Sequence, residues 1–332
     1  MHSECVPTCY FPSTVLFLHN NHDFLLNLIL QLDDMLAYQL FDNTNTALEH
    51  IYRQYYKSKQ NLARGSIQAQ HGMLANSAIN LDLASIYAEI YNHERFTEIS
   101  VIVVDNTLPN MSGLEFCAKI PKPNIKKILV INHTDEDMAI SAVKAGLIER
   151  YIKKSDIYAI DQLITSIHEL QLQYFQDLSS SLVKLLPTFA PICLYDQRFI
   201  NFFQELCAEK GVVEYYLLEN TGSFFMLDDE ANASILLIKT TENLRLYYQH
   251  AIEQYVSPLV LEELATGKKI PVSWPITTLD EWQDSLVSAE CLQLDEPYYY
   301  AYLPATTYFD TSLESIFAYN RYVKKGLSEI LL

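Results

Sequence analysis

The chain has 332 residues, 49% apolar and 19% charged, with a formal net charge of −18 at pH 7. That length supports two or three domains with ample buried core. The acidity argues against general binding of duplex nucleic acid, which rests on cations that neutralise phosphates, and no apolar run reaches the roughly 18–20 residues of a membrane span. The six cysteines, Cys5, Cys9, Cys117, Cys193, Cys207 and Cys291, are scattered and form no disulfide framework. A reducing cytoplasm is the expected setting.

Residues 1–12 read as an N-terminal tail and lack the cationic-then-apolar layout of a signal peptide. Ser13 to Leu18 is a short apolar run that breaks at His19-Asn20-Asn21, which predicts a first buried parallel strand. Phe24, Leu25, Leu28, Ile29 and Leu32 recur at helical spacing. Ala37 to Phe41 predicts a second strand, and Asp42 to Thr46 supplies capping residues for the next helix. Residues 53–97 form an excess before the third strand. Apolar positions from Leu74 to Ile90 suggest a second amphipathic helix there, making an added helical hairpin.

Ile99 to Val104 predicts the third strand, and it ends in one carboxylate, Asp105. A helix starts at Leu114, Lys127 to Ile131 is a fourth strand, and Asp137 to Ala145 is helical with Gly146 as its C-cap. Tyr151-Ile152 is the fifth strand. The alternation of apolar strands and helices predicts a doubly wound parallel sheet. In such sheets ligands sit at the carboxyl ends of the strands. Intervals of 3 and 4 from Ile160 to Leu185 predict a long last helix that runs on as a linker, 160–187, and Pro187 ends it. An apolar stripe of that length suggests pairing with a second copy in a homodimer.

Residues 105–113 read Asp-Asn-Thr-Leu-Pro-Asn-Met-Ser-Gly. The pattern Asp-x-x-Leu-Pro-x-Met-x-Gly resembles the phosphoacceptor strand and loop of two-component receiver domains, with Asp105, Pro109, Met111 and Gly113 at the family's spacings. The resemblance covers residues 13–178 and implies a flavodoxin-like strand order. It implies that Asp105 accepts a phosphoryl group from a histidine kinase or phosphotransfer protein, with Mg²⁺ as cofactor. The family's acidic metal pair falls at His19 and Asn20, so the implied site (His19, Asn20, Asp105) is a weakened one. The family's switch hydroxyl falls at Asn132, and Thr134 is a substitute only if the loop shifts. Its switch aromatic falls at Tyr151. Its lysine falls at Lys153 or Lys154.

Residues 188–332 predict an α+β output domain with an antiparallel sheet. A helix around Phe199–Leu206 precedes strands at 214–218, 223–227 and 234–239, then a helix at 244–255 and a further strand at 296–303. Residues 185–332 hold 9 Lys and Arg against 21 Asp and Glu, a balance of −12, so specific DNA binding is not expected. No zinc spacing, phosphate-cradling glycine loop or nucleophile elbow occurs there. The layout is similar to quorum-sensing response regulators of the Legionella kind. The implied function is that of a phosphoacceptor signalling protein, not an enzyme, acting on a downstream protein. Two alternatives are a pseudo-receiver scaffold that binds partners without phosphorylation, and an enzyme gated by the receiver with its site in 188–332.

Overall fold

The computed structural model describes residues 5–69, 89–121, 124–185, 192–219, 221–272, 276, 278–293, 295–305 and 313–330. The chain divides into two compact units. Among the described residues, the first unit takes Phe11 to Ala69, Glu89 to Leu182 and Phe317 to Ile330. The second takes Cys5 to Tyr10 and the described part of Val183–Ile316.

Strands are numbered along the chain, and β1 (Cys9–Tyr10) belongs to the second unit. The first unit holds β2 (Thr14–Leu18), β3 (Tyr38–Phe41), β4 (Ile99–Asp105), β5 (Lys126–Ile131) and β6 (Arg150–Lys153). These pair in parallel in the order β3-β2-β4-β5-β6, the flavodoxin-like arrangement. Every residue of β2 and β4 is buried. That explains why both read as unbroken apolar runs: a parallel sheet is covered on both faces.

The helices are α1 (His22–Ile29), α2 (Thr44–Ala69), α3 (Gly113–Ala118), α4 (Glu136–Lys144) and α5 (Ala159–Leu185). On one face Val15, Phe17, Val101, Val103 and Ile128 pack with Leu25 and Leu28 of α1 and with Leu163, Ile167 and Leu170 of α5. The alternate residues Leu16, Leu18, Ile102, Val104, Leu129 and Ile131 are buried as well.

Three features differ from the expectations. The stripe on α5 is not an open seam as far as Phe175: Tyr174 and Phe175 are fully buried, Phe175 meets Phe11 edge-on, and the Gln171 amide donates to the Ser13 carbonyl. The segment read as a tail enters a sheet, because Cys9 and Tyr10 pair with Tyr216 and Tyr215. The C-terminal helix α10 (Tyr319–Ile330) belongs to the first unit. Tyr319 Oη accepts the Ala37 N–H at 3.1 Å, and Arg95, itself buried, donates to the Phe317 carbonyl at 2.8 Å. The expected insertion begins inside α2, which runs on to Ala69. Its expected second helix falls largely outside the described residues.

The second unit holds α6 (Gln197–Lys210), β7 (Val212–Leu217), β8 (Phe224–Asp228), β9 (Ala233–Thr240), α7 (Thr241–Glu253) and α8 (Pro258–Ala265). After them come β10 (Lys269–Pro271), α9 (Leu279–Asp284), β11 (Leu286–Ser288), β12 (Glu290–Leu292) and β13 (Tyr298–Pro304). The main sheet has the order β1-β7-β8-β9-β13-β12 and is antiparallel throughout. Phe199, Ile200, Phe203 and Leu206 of α6 pack on Leu217, Phe224, Met226, Leu236 and Ile238 of its strands. Among the described residues no helix is long and apolar enough to cross a membrane.

Candidate functional site

Register builds the site. Leu18 lies opposite Val104, so the residues that follow, His19 and Asp105, emerge side by side. Ile131 lies opposite Lys153, and Lys154 donates its N–H to the Ile131 carbonyl at 2.9 Å. Three strand ends thus deliver a histidine, a carboxylate and a lysine to one edge. They line a cleft of about 560 Å³ with Asn20, Asn21, Asp23, Thr107 and Asn132.

Asp105 is 2% exposed. Lys154 Nζ stands 2.8 Å from both of its carboxylate oxygens. Thr107 N–H donates to Oδ1 at 3.1 Å, a side-chain turn typical of aspartate. His19 Nε2 lies 3.0 Å from Oδ2. Burial alone would push the carboxyl up, but the hydrogen bonds from His19, Lys154 and Thr107, with the Lys154 charge, outweigh it. Asp105 is held below the usual aspartate range.

The tautomer of His19 follows from its partners. Nδ1 accepts the Asn21 backbone N–H at 2.9 Å, so the neutral ring carries its proton on Nε2 and donates to Asp105. The ring stacks on Phe24, centroids 4.2 Å apart. Asn21 also caps α1, its Oδ1 accepting the Phe24 N–H. One residue therefore orients the imidazole and starts the helix that carries its stacking partner.

The other sequence candidates divide. Lys153 turns away to Glu136 Oε1 at 2.6 Å, and Tyr151 Oη donates to the same oxygen at 3.4 Å. Asn132 Nδ2 donates to Thr107 Oγ1 at 3.1 Å. Thr134 is not among the cleft residues; its hydroxyl donates to Asp135 at 3.2 Å. Thr107 and Asn21 were not singled out by the sequence. A hydroxyl two residues beyond Asp105 was the available signal for Thr107.

The donor set fits Mg²⁺ poorly. Among the described residues no group of three or more His, Cys, Asp or Glu side chains is placed to hold a metal ion. Mg²⁺ takes oxygen ligands in strict octahedral geometry, and His19 presents an N–H, not a lone pair, to Asp105. His19 Nε2, read from the sequence as a weak metal ligand, lies 3.0 Å from Asp105 Oδ2.

Gly113 sets how close the following helix comes. It opens α3, and a Cβ there would stand 2.6 Å from the Asp105 carbonyl oxygen. Ser112 caps the helix with Glu115 in a reciprocal capping box.

A protein-family model described as "Response regulator receiver domain" matches residues 64–167. The matched stretch takes in Asp105, Asn132, Lys153 and Lys154 and leaves out His19 and Asn20. The structure of the Legionella pneumophila response regulator LqsR is 44% identical, with 98% of this chain and 97% of that chain covered and a TM-score of 0.84. An adenylate cyclase structure from Rhodopirellula baltica is 20% identical over 53% of this chain and 98% of that one, TM-score 0.33. A CheY-like receiver domain protein from Methanospirillum hungatei is 15% identical over 50% and 98%, TM-score 0.31. A search of curated proteins gives no match.

Proposed function

The chain belongs to the response-regulator family of Legionella pneumophila LqsR, and from that membership we propose that it takes a phosphoryl group onto Asp105 from a histidine kinase or phosphotransfer protein. The observation that carries this reading is the carboxylate itself. It is buried yet held ionised, it closes a strand, and it lines an open cleft with Lys154 on both oxygens.

A carboxylate oxygen attacks the phosphorus of a phosphohistidine. An O–P bond forms, the P–N bond breaks, and its electron pair returns to the donor imidazole, which takes a proton from water. Lys154 supplies a cation for the charge spread over the phosphoryl oxygens. The added charge, about −1.5 to −2 at neutral pH, biases the nearby loops.

The second unit is the output in this reading, and its partner is a protein. Its surplus of Asp and Glu supports that over specific duplex recognition. Service in quorum sensing, suggested by the likeness to regulators of the Legionella kind, is part of the proposal. So is association of two copies on phosphorylation. The α5 stripe does not supply that surface as far as Phe175, because the chain itself covers it. The scaffold reading is favoured by one observation: Asp105 is already satisfied by Lys154, Thr107 and His19.

Intact mass spectrometry of the full chain after incubation with acetyl phosphate tests the proposal. One phosphoryl adduct is expected on the wild type and none on Asp105→Asn. An adduct on both, or on neither, rules the Asp105 assignment out.

A further inference from the structure

We propose that His19 takes the place of the divalent cation in this acceptor pocket, so that Asp105 receives its phosphoryl group through the His19 N–H and the Lys154 ammonium, without bound metal. The inference rests on the phosphoacceptor reading above and deepens it.

A cation serving Asp105 would have to reach Oδ1 or Oδ2. Oδ2 already accepts from His19 Nε2 at 3.0 Å, Oδ1 accepts from Thr107 N–H at 3.1 Å, and Lys154 bridges both. The His19 proton is not free to leave that direction. Asn21 N–H occupies Nδ1 at 2.9 Å, and Phe24 covers the ring face at 4.2 Å. Flipping the ring to present a lone pair breaks the Asn21 bond.

Only 12% of the His19 side chain is exposed, so the ring has little room to swing out. Apart from Asp105 itself, Asp23 is the one carboxylate among the residues lining the cleft, beside the neutral oxygens of Asn20, Asn21, Thr107 and Asn132. Mg²⁺ sheds its waters reluctantly and needs more anionic support than that. The pocket instead offers one neutral and one charged proton donor from opposite flanks of Asp105. Both can follow the charge from carboxylate to phosphoryl oxygens as the O–P bond forms, while acetate leaves acetyl phosphate with its own electron pair and needs no proton.

The test uses the full chain, with Mn²⁺ as the metal probe read by electron paramagnetic resonance and acetyl phosphate uptake read by intact mass. Wild type, His19→Ala and the double variant His19→Asp/Asn20→Asp are compared, each checked for folding by circular dichroism. For the wild type, uptake should change less than about twofold between excess chelator and excess Mg²⁺. His19→Ala should slow it about tenfold or more. The double variant should bind Mn²⁺ at least about tenfold more tightly than wild type, and its uptake should become chelator-sensitive.

Wild-type uptake that collapses in chelator overturns the inference. So does Mn²⁺ binding by wild type as tight as that of the double variant. If no protein takes up phosphate under any condition, the phosphoacceptor reading fails, and the Mn²⁺ comparison still decides whether His19 displaces the cation. Tighter binding by the double variant supports it, and equal binding overturns it.

Discussion

Lys153 and Lys154 are neighbours in sequence and serve different carboxylates: Nζ of the first is 2.6 Å from Glu136, Nζ of the second 2.8 Å from Asp105. Successive strand residues point to opposite faces, so only one of the pair can reach Asp105. Lys154→Ala should cut phosphoryl uptake at least about tenfold, about 1.4 kcal/mol of barrier, and raise the Asp105 pKa. Lys153→Ala should change uptake less than about twofold, since it loses a partly exposed pair of little worth. Equal losses in the two variants would contradict this division.

Asp105 should remain a carboxylate well into acid. Its folded pKa lies below the ordinary value near 3.8 because the donors around it outweigh burial. A depressed carboxyl stabilises the fold above its unfolded pKa, and that contribution is lost as pH falls through the folded value. Urea unfolding of wild type and Asp105→Asn should therefore differ by a constant amount above about pH 5. The wild type should lose ground to the variant progressively as pH falls below about 5, through the ordinary aspartate value and on down through the folded one. A difference that closes above about pH 5 would mean the carboxyl is raised, not lowered.

Gly113→Ala should destabilise the first unit by about 1–3 kcal/mol, the cost of overpacking. The new Cβ would meet the Asp105 carbonyl oxygen at 2.6 Å, Leu129 Cδ1 at 2.8 Å and Asn106 Cα at 2.9 Å. The first and last of these are backbone atoms, and they cannot yield as a side-chain tip does. Gly146→Ala is the comparison: it meets nothing within 4 Å, and its φ of +68° alone makes it strained. Denaturant midpoints by far-ultraviolet circular dichroism should rank Gly113→Ala as the worse of the two.

Phe224→Ala should cost the second unit about 3–5 kcal/mol. The ring is fully buried, 4.7 Å from Phe203 and 5.7 Å from Tyr215 between centroids. Both tryptophans of the chain, Trp274 and Trp282, fall in that unit's stretch of sequence. Their fluorescence should report the loss directly. An unfolding midpoint unchanged by this probe would place Phe224 outside the stabilising core.

The parallel sheet was legible because fully buried strands such as Val101–Val104 leave unbroken apolar runs. Asp105 was legible because a lone carboxylate closing such a run is conspicuous. The choice between Lys153 and Lys154 was not, since one residue of register flips a side chain and neither neighbour carries a register mark. His19 as a proton donor was hidden too: which ring nitrogen holds the proton depends on the Asn21 backbone, a bond that no side-chain pattern encodes. Cys9–Tyr10 is too short a strand to announce itself. Tyr319 meets Ala37 across 282 positions, beyond the reach of any local periodicity.

The docking of α10 onto the first unit, together with β1 in the sheet of the second, bears on how this chain can be taken apart. Neither unit is one continuous stretch: each borrows a terminal piece from beyond the other. A fragment cut after α5 would lose the helix that meets Ala37 and Thr14. The complementary fragment would expose the edge of β7 and carry an unhoused amphipathic helix. No single cut in the sequence separates the two units. A graft of the first unit must carry α10 with it, and a graft of the second must carry β1.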